Sequence, residues 1–315
     1  MFRGFCLALW LGGWLSILPA SGASQARLRI LTSIAPVYSW TASIVGDLAT
    51  VDNLLPADVG PHDFQFRPRD LKKVQSADLI LLNGLGIESW LEKALQNNAT
   101  AKPQRIVRTS DGLKAEFIYH LPELTLDPKS AKSPHKHDHD HAAAGEAPNP
   151  HVWLDPHYAR HAVSNILAAV SELDPRNAAA YRQNATRYLD QLRVLDADIR
   201  ALTGPLPNKS IVTYHDAFPY FARRYGFELV GVVEEVPSVG PSPKYLSELS
   251  RVIQQRHVRV IFTEPQFEPR LVRQLTRDLG ITFAELDVLE TGKLNPEAYI
   301  DGMRRNLKTL AQVLK

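Results

Sequence analysis

The 315-residue sequence predicts an α/β protein of two βα lobes with parallel sheets, joined by one long helix. Three observations carry this expectation. Short apolar runs alternate with helical stretches on both sides of the chain's middle, which is the pattern of βα units. One amphipathic stretch, 175–203, keeps a helical apolar period without interruption. Length at about 150 residues per domain gives roughly two domains.

In the first lobe, 28–31 predicts a strand, 35–45 a helix, and 49–55 a second strand that runs into the turn Asp58-Val59-Gly60-Pro61. A helix over 68–74, a buried strand over 77–82, a turn at Gly84-Leu85-Gly86, a helix over 88–96 and a short strand over 105–107 complete it. Asp174-Pro175 offers an N-cap followed by proline at the first helical position. Tyr181, Tyr188, Leu192, Leu195, Ile199 and Leu202 then recur at helical steps until Gly204. About 28 residues at 1.5 Å each make a rod of about 42 Å, long enough to join two lobes rather than sit within one. Beyond it, strands are expected over 210–214, 228–232, 258–263 and 283–286, with helices over 217–225, 243–256, 268–279 and 296–314.

The N-terminus reads as a targeting segment. Met1-Phe2-Arg3 precedes an apolar run of about 15 residues and the small-x-small ending Ser21-Gly22-Ala23, as in a secretory signal cleaved after Ala23. A spanning helix needs about 20 apolar residues, so no membrane insertion is expected after cleavage. The expected layout is therefore a signal at 1–23, a first lobe at 24–157, connecting helices at 158–204 including the long one at 175–203, and a second lobe at 205–315. Within the first lobe, 127–150 loses all apolar periodicity and reads as a mobile loop.

Composition narrows the function. With 36 basic against 34 acidic side chains the chain lacks the excess that nucleic-acid binding requires. The single cysteine, Cys6, lies in the expected signal, which rules out a disulfide scaffold or a thiolate metal site and suits an oxidising periplasm. Histidine is the unusual residue: seven of eleven fall in the 27 positions from His135 to His161, where random scatter puts about one.

His62 follows Pro61 in a loop, His151 follows Asn149-Pro150, and His215 ends the strand Ile211-Val212-Thr213-Tyr214. Each sits where an open α/β sheet builds its ligand sites, at strand ends and loops. Each could equally be a hydrogen-bonded loop residue. Asp287, directly after the last strand, fits a further ligand or a cap of the next segment, and Glu264 is placed in the same way. His157 and His161 stand at i, i+4 spacing without the glutamate of a metalloprotease and read as a solvated helix face. The alternating run His135, His137, His139, His141 suits exchangeable metal capture.

Several stretches, taken in order, resemble the zinc-binding (ZnuA-like) members of the solute-binding proteins that feed ABC importers for zinc and manganese. They include Pro61-His62-Asp63-Phe64, Asn83-Gly84-Leu85-Gly86, His151-Val152-Trp153-Leu154-Asp155-Pro156, Tyr214-His215-Asp216-Ala217-Phe218 and Phe262-Thr263-Glu264-Pro265-Gln266-Phe267. The resemblance implies two lobes on one rigid helix and a Zn²⁺ site in the cleft between them, held by His62, His151, His215 and Asp287. It makes the His-rich run an auxiliary metal-capturing loop. It implies a periplasmic monomer that is not an enzyme, with an ABC importer permease as partner and a metallochaperone as a second candidate. Three imidazoles and one carboxylate suit tetrahedral zinc better than manganese, with affinity expected to fall below about pH 6.5 as the ligands protonate. The competing readings are a manganese carrier and a secreted zinc hydrolase, which would need an open coordination position and a nearby base.

Overall fold

Every strand expected from the apolar runs is found in one of two four-stranded sheets, all of whose pairings are parallel. The computed structural model describes residues 26–97, 104–114, 148–234, 240–267 and 270–314. The expected signal and the run His135–His141 lie outside them. In the first sheet β1 (Arg29–Thr32), β2 (Thr50–Asn53), β3 (Leu79–Leu82) and β4 (Arg105–Arg108) take the order β2-β1-β3-β4. In the second, β5 (Ser210–Thr213), β6 (Glu228–Val232), β7 (Val260–Thr263) and β8 (Thr282–Glu285) repeat that order as β6-β5-β7-β8. The continuous apolar runs Leu-Ile-Leu-Leu of β3 and Val-Ile-Phe-Thr of β7 are buried throughout, as expected for inner strands of a parallel sheet covered on both faces. The edge strands β4 and β8 are largely exposed.

Helices α1 (Ala35–Val45), α2 (Pro68–Ser76) and α3 (Ser89–Asn97) connect the first sheet. The second uses α6 (Pro219–Tyr225), α7 (Pro243–Gln255), α8 (Arg270–Leu279) and α9 (Ala298–Val313). Between the sheets run α4 (Pro156–Leu173) and α5 (Ala178–Thr203). The 26 residues of α5 span about 39 Å. Its apolar stripe Tyr181, Ala185, Tyr188, Leu192, Leu195 and Ile199 is buried, and it packs on α1 and α4 on one side of the molecule and on α6 and α9 on the other. The helix begins three residues later than Asp174-Pro175 suggests. Asp174 is turned into a side-chain clasp, its Oδ2 accepting from Asn177 Nδ2 (2.6 Å) and Tyr181 OH (2.8 Å), and Asn177 occupies the N-cap.

One cluster of buried apolar side chains runs from Ile30 in β1 through α1, α4 and α5 to Leu310 in α9 and includes Ile211 and Val260 of the second sheet, while a smaller cluster with Val212, Leu249, Ile253 and Ile261 packs the second sheet against α7. The two sheets thus share one core, and α9 is further tied to α1 by Ser39 and Ser43, whose hydroxyls donate to Pro296 C=O at 2.6 and 2.9 Å. Among the described residues no helix is long and apolar enough to cross a membrane.

Gly84 has φ of 90°, and a Cβ there would lie 2.4 Å from Ser110 Oγ and 3.1 Å from Arg108 Cβ. Gly84→Ala should therefore destabilise the fold by about 1–3 kcal/mol, read as a fall in Tm by thermal denaturation; an unchanged Tm would contradict the turn described here.

Candidate metal centre

The carboxyl ends of the strands of both sheets supply the site. His62 lies in the loop after β2, and its side chain is 28% exposed. His215 follows β5 by two residues, its C=O accepting from Thr213 Oγ1 (2.9 Å) and Ala217 N–H (2.9 Å). His151 precedes a tight 3-10 turn, Val152–Leu154, that leads into α4. These three rings converge: His151 Nε2 is 3.2 Å from His62 Nε2 and 3.2 Å from His215 Nε2. The fourth member is Glu290, whose Oε1 lies 3.3 Å from His151 Nε2 and 3.5 Å from His62 Nε2. All four donor atoms fall within 4.8 Å of one another.

These spacings have a direct chemical meaning. Ligands about 2.0–2.1 Å from a tetrahedral ion are separated by about 3.3 Å along each edge, close to the 3.2 to 3.5 Å of four of the six donor pairs, with all six within 4.8 Å. Glu290 Oε1 is buried and has no conventional hydrogen-bond donor, so its lone pairs face the same point as the imidazoles.

The surroundings orient the rings. His151 Nδ1 meets Asn149 Oδ1 at 2.8 Å, while Asn149 Nδ2 donates to Asp216 C=O at 2.8 Å. The amide oxygen only accepts, so Nδ1 carries the proton and Nε2 presents its lone pair. His215 Nδ1 likewise donates to Glu264 Oε1 at 2.5 Å, which leaves Nε2 as the coordinating atom. Burial holds His151 at about 3 and hence neutral. For Glu290, burial favours the acid, but the adjacent His151 and His62 rings outweigh it and keep the carboxyl below its ordinary range. For His215, burial disfavours the cation, but the Glu264 carboxylate prevails and favours the imidazolium above the usual histidine value. Burial in turn raises Glu264 itself.

The structure brings together His62, His151 and His215 but places Asp287 elsewhere. Asp287 Oδ1 accepts from Leu289 N–H (2.7 Å), its Oδ2 faces Arg305 (3.6 Å), and its backbone pairs with the Asn306 amide (2.8 and 2.7 Å). It caps the turn that carries Glu290, and Glu290 provides the carboxylate of the cluster. The expectation that put Asp287 in the set is corrected accordingly. Glu290 lies five residues past β8, and the chain reaches it through Leu289 at φ of 63° with no glycine marking the reversal. Glu264 stands at its strand end behind His215. His161 Nε2 donates to Asp111 C=O (2.7 Å), and neither it nor His157 joins the cluster. A cavity of about 650 Å³ opens in front of His62, His215 and Glu290 and is also lined by Arg67, Gln266 and Phe267.

Two similar parallel sheets around one long helix, with candidate donors from both converging in the cleft, define a two-lobed α/β protein with a candidate metal site between its sheets. A family model described as "ZnuA: Zinc-uptake complex component A periplasmic" matches residues 30–313, and the chain belongs to that family. It is 31% identical to "Zinc-binding protein AdcA" of Streptococcus pyogenes over 91% of this chain and 56% of that protein, so it spans little more than half of that relative. It is 30% identical to "High-affinity zinc uptake system protein ZnuA" of Bacillus subtilis over 91% of this chain and 88% of that one. Among solved structures, the solute-binding protein FpvC of Pseudomonas aeruginosa in complex with Mn²⁺ superposes with a TM-score of 0.76 at 29% identity, covering 91% of this chain and 98% of that one.

Removing the charge behind His215 should weaken the site without deleting a donor. Glu264→Gln is expected to lower affinity for a divalent ion about 10–100-fold, whereas Asp287→Asn should cost far less than Glu290→Gln. Competition against a chromophoric chelator measures all three; a larger loss for Asp287→Asn than for Glu290→Gln would restore Asp287 to the ligand set.

Proposed function

We propose that the protein binds Zn²⁺ through His62, His151, His215 and Glu290 and delivers it to an ABC-type importer, working in the periplasm after export through a signal cleaved behind Ala23. The observation that carries this reading is the set of donor spacings, 3.2 to 3.5 Å, around one buried point. Three nitrogens and one oxygen gathered this closely suit zinc, while manganese favours more oxygen donors and higher coordination. Zinc is cargo here, held by side chains that a matured chain free of thiols supplies. The names of the AdcA and ZnuA relatives point the same way.

A carrier fits the cluster better than a hydrolase does. Glu290 fills the position that a hydrolase would keep for water, and Glu264, a candidate base, is committed to His215. In this reading His135, His137, His139 and His141 gather zinc near the cleft as an auxiliary capture segment, and the protein acts as a monomer.

The electrostatics fix how binding depends on pH. His151 stays neutral and Glu290 ionised through the physiological range, so neither needs to lose a proton. His215, favoured as imidazolium by Glu264, must release the proton on Nε2 for a metal to bind. Zinc affinity should rise about tenfold per pH unit from pH 6.5 to 7.5, with about one proton released per ion. This window lies above the one expected for unperturbed histidines. Calorimetry in buffers of different ionisation enthalpy counts the protons, and pH-independent affinity with no proton release would contradict the assigned role of His215. Metal analysis together with competition between Zn²⁺ and Mn²⁺ tests the cargo; preferential binding of Mn²⁺ would overturn the zinc reading.

A further inference from the structure

We infer that His62 is the exchange ligand of this site: His151, His215 and Glu290 form a preassembled three-donor seat, and the ion enters or leaves as a donor from the adjoining cavity replaces His62. The inference rests on the metal-capturing role proposed above and adds to it an order of ligand exchange.

The His151 turn is bound to the segments that carry the other two seat ligands. Asn149 Nδ2 donates to Asp216 C=O (2.8 Å), beside His215, and Trp153 Nε1 donates to Val288 C=O (2.7 Å), two residues before Glu290. Tyr220 OH donates to Asn149 C=O (2.7 Å), and Tyr299 OH donates to Trp153 C=O (2.6 Å). Arg224 closes the set with a 2.8 Å ion pair to Asp155, whose side chain is 2% exposed. These bonds are buried or nearly so, where an unmade polar contact is costly. Asn83 Nδ2, directly behind β3, donates to Pro150 C=O (3.0 Å) as well, so the His151 turn is held by both lobes.

His62 differs in three independent ways. Its side chain is 28% exposed against 2% for His151 and 6% for His215. Its Nδ1 has no hydrogen-bond partner among the described residues, whereas Asn149 and Glu264 hold the corresponding atoms of the other two rings. Its loop reaches the Glu290 segment through Gly292 N–H to Ala57 C=O (2.6 Å), while the bonds Val59 N–H to Pro56 C=O and Asp63 N–H to Gly60 C=O stay within the loop. The ring can therefore swing away without breaking any hydrogen bond at Nδ1.

The step is a ligand substitution. An incoming imidazole or carboxylate forms its bond to the ion through a lone pair as the His62 Nε2 bond breaks, and His62 leaves as neutral imidazole. Two nitrogens and the Glu290 carboxylate hold the ion throughout. The cavity of about 650 Å³ gives a side chain of the accepting protein access on the His62 side.

The test uses the full mature protein with Co²⁺ as a visible probe and Zn²⁺ by competition. His62→Ala should still bind one ion, weakened by more than the ~10–100-fold typical of losing an outer partner, and should pass it faster to a chelator. Added imidazole should restore its four-coordinate Co²⁺ spectrum. His151→Ala and His215→Ala should lose stoichiometric binding, with imidazole restoring neither. His62→Gln serves as a second variant with a different side-chain volume, and circular dichroism verifies folding. Equal loss in all variants, or imidazole rescue of His151→Ala as complete as that of His62→Ala, would overturn the inference. Wild-type protein that fails to bind either ion stoichiometrically would instead overturn the proposed function on which it rests.

Discussion

Three imidazole Nε2 atoms and a carboxylate oxygen converge on one place inside the protein, four of their six pairs 3.2 to 3.5 Å apart. Such donors repel one another, and burial removes the water that would screen them. Much of the polar network nearby can be understood as holding this arrangement against that repulsion. Asn149 and Glu264 each use the ring nitrogen that faces away from the cluster, so the proton is kept where it cannot block the site. The hydrogen bonds of Trp153, Tyr220 and Tyr299 then fix the backbone that carries His151. A cation relieves the repulsion at a stroke, which ties affinity to rigidity: the less the donors can spread, the more a metal ion gains by binding.

That rigidity extends to the whole fold. The apolar cluster runs through both sheets, and α5 buries one stripe against helices from each. Separate domains with a small polar interface would move freely relative to one another, but a shared core has no such interface to open. Wide lobe closure is therefore a poor mechanism for admitting an ion here. Opening is more economically confined to a loop, and the loop bearing His62 is the exposed, lightly held element of the site.

Much of the fold was legible because parallel βα units announce themselves: β6 and α1 fall on the expected residues, and α5 follows from its apolar stripe alone. The histidines of the cluster were legible for a related reason. Strand ends are short-range features, and His215 and His62 lie close behind β5 and β2 in sequence. What sequence did not disclose is contact between distant segments. Nothing in Asn149-Pro150-His151 shows that this turn is fastened to residues 216, 220 and 288, because those bonds form only when α5 brings the two sheets together.

The choice between Asp287 and Glu290 shows the same limit on a scale of three residues. Asp287 occupies the place topology favours, the first acid after β8, and its carboxylate is consumed locally by Leu289 N–H. A short aspartate side chain readily accepts from the backbone two residues on, forming the kind of turn that aspartate favours. That turn, with Asn306 clamping both backbone groups of Asp287, sends the chain through a left-handed Leu289 and aims Glu290 into the cleft. Glutamate, one methylene longer, reaches the imidazoles with its Oε1, and the adjacent His151 and His62 rings hold it ionised despite burial. The aspartate shapes the turn and the glutamate supplies the charge, so exchanging the two would disturb both the path of the chain and the carboxylate it presents.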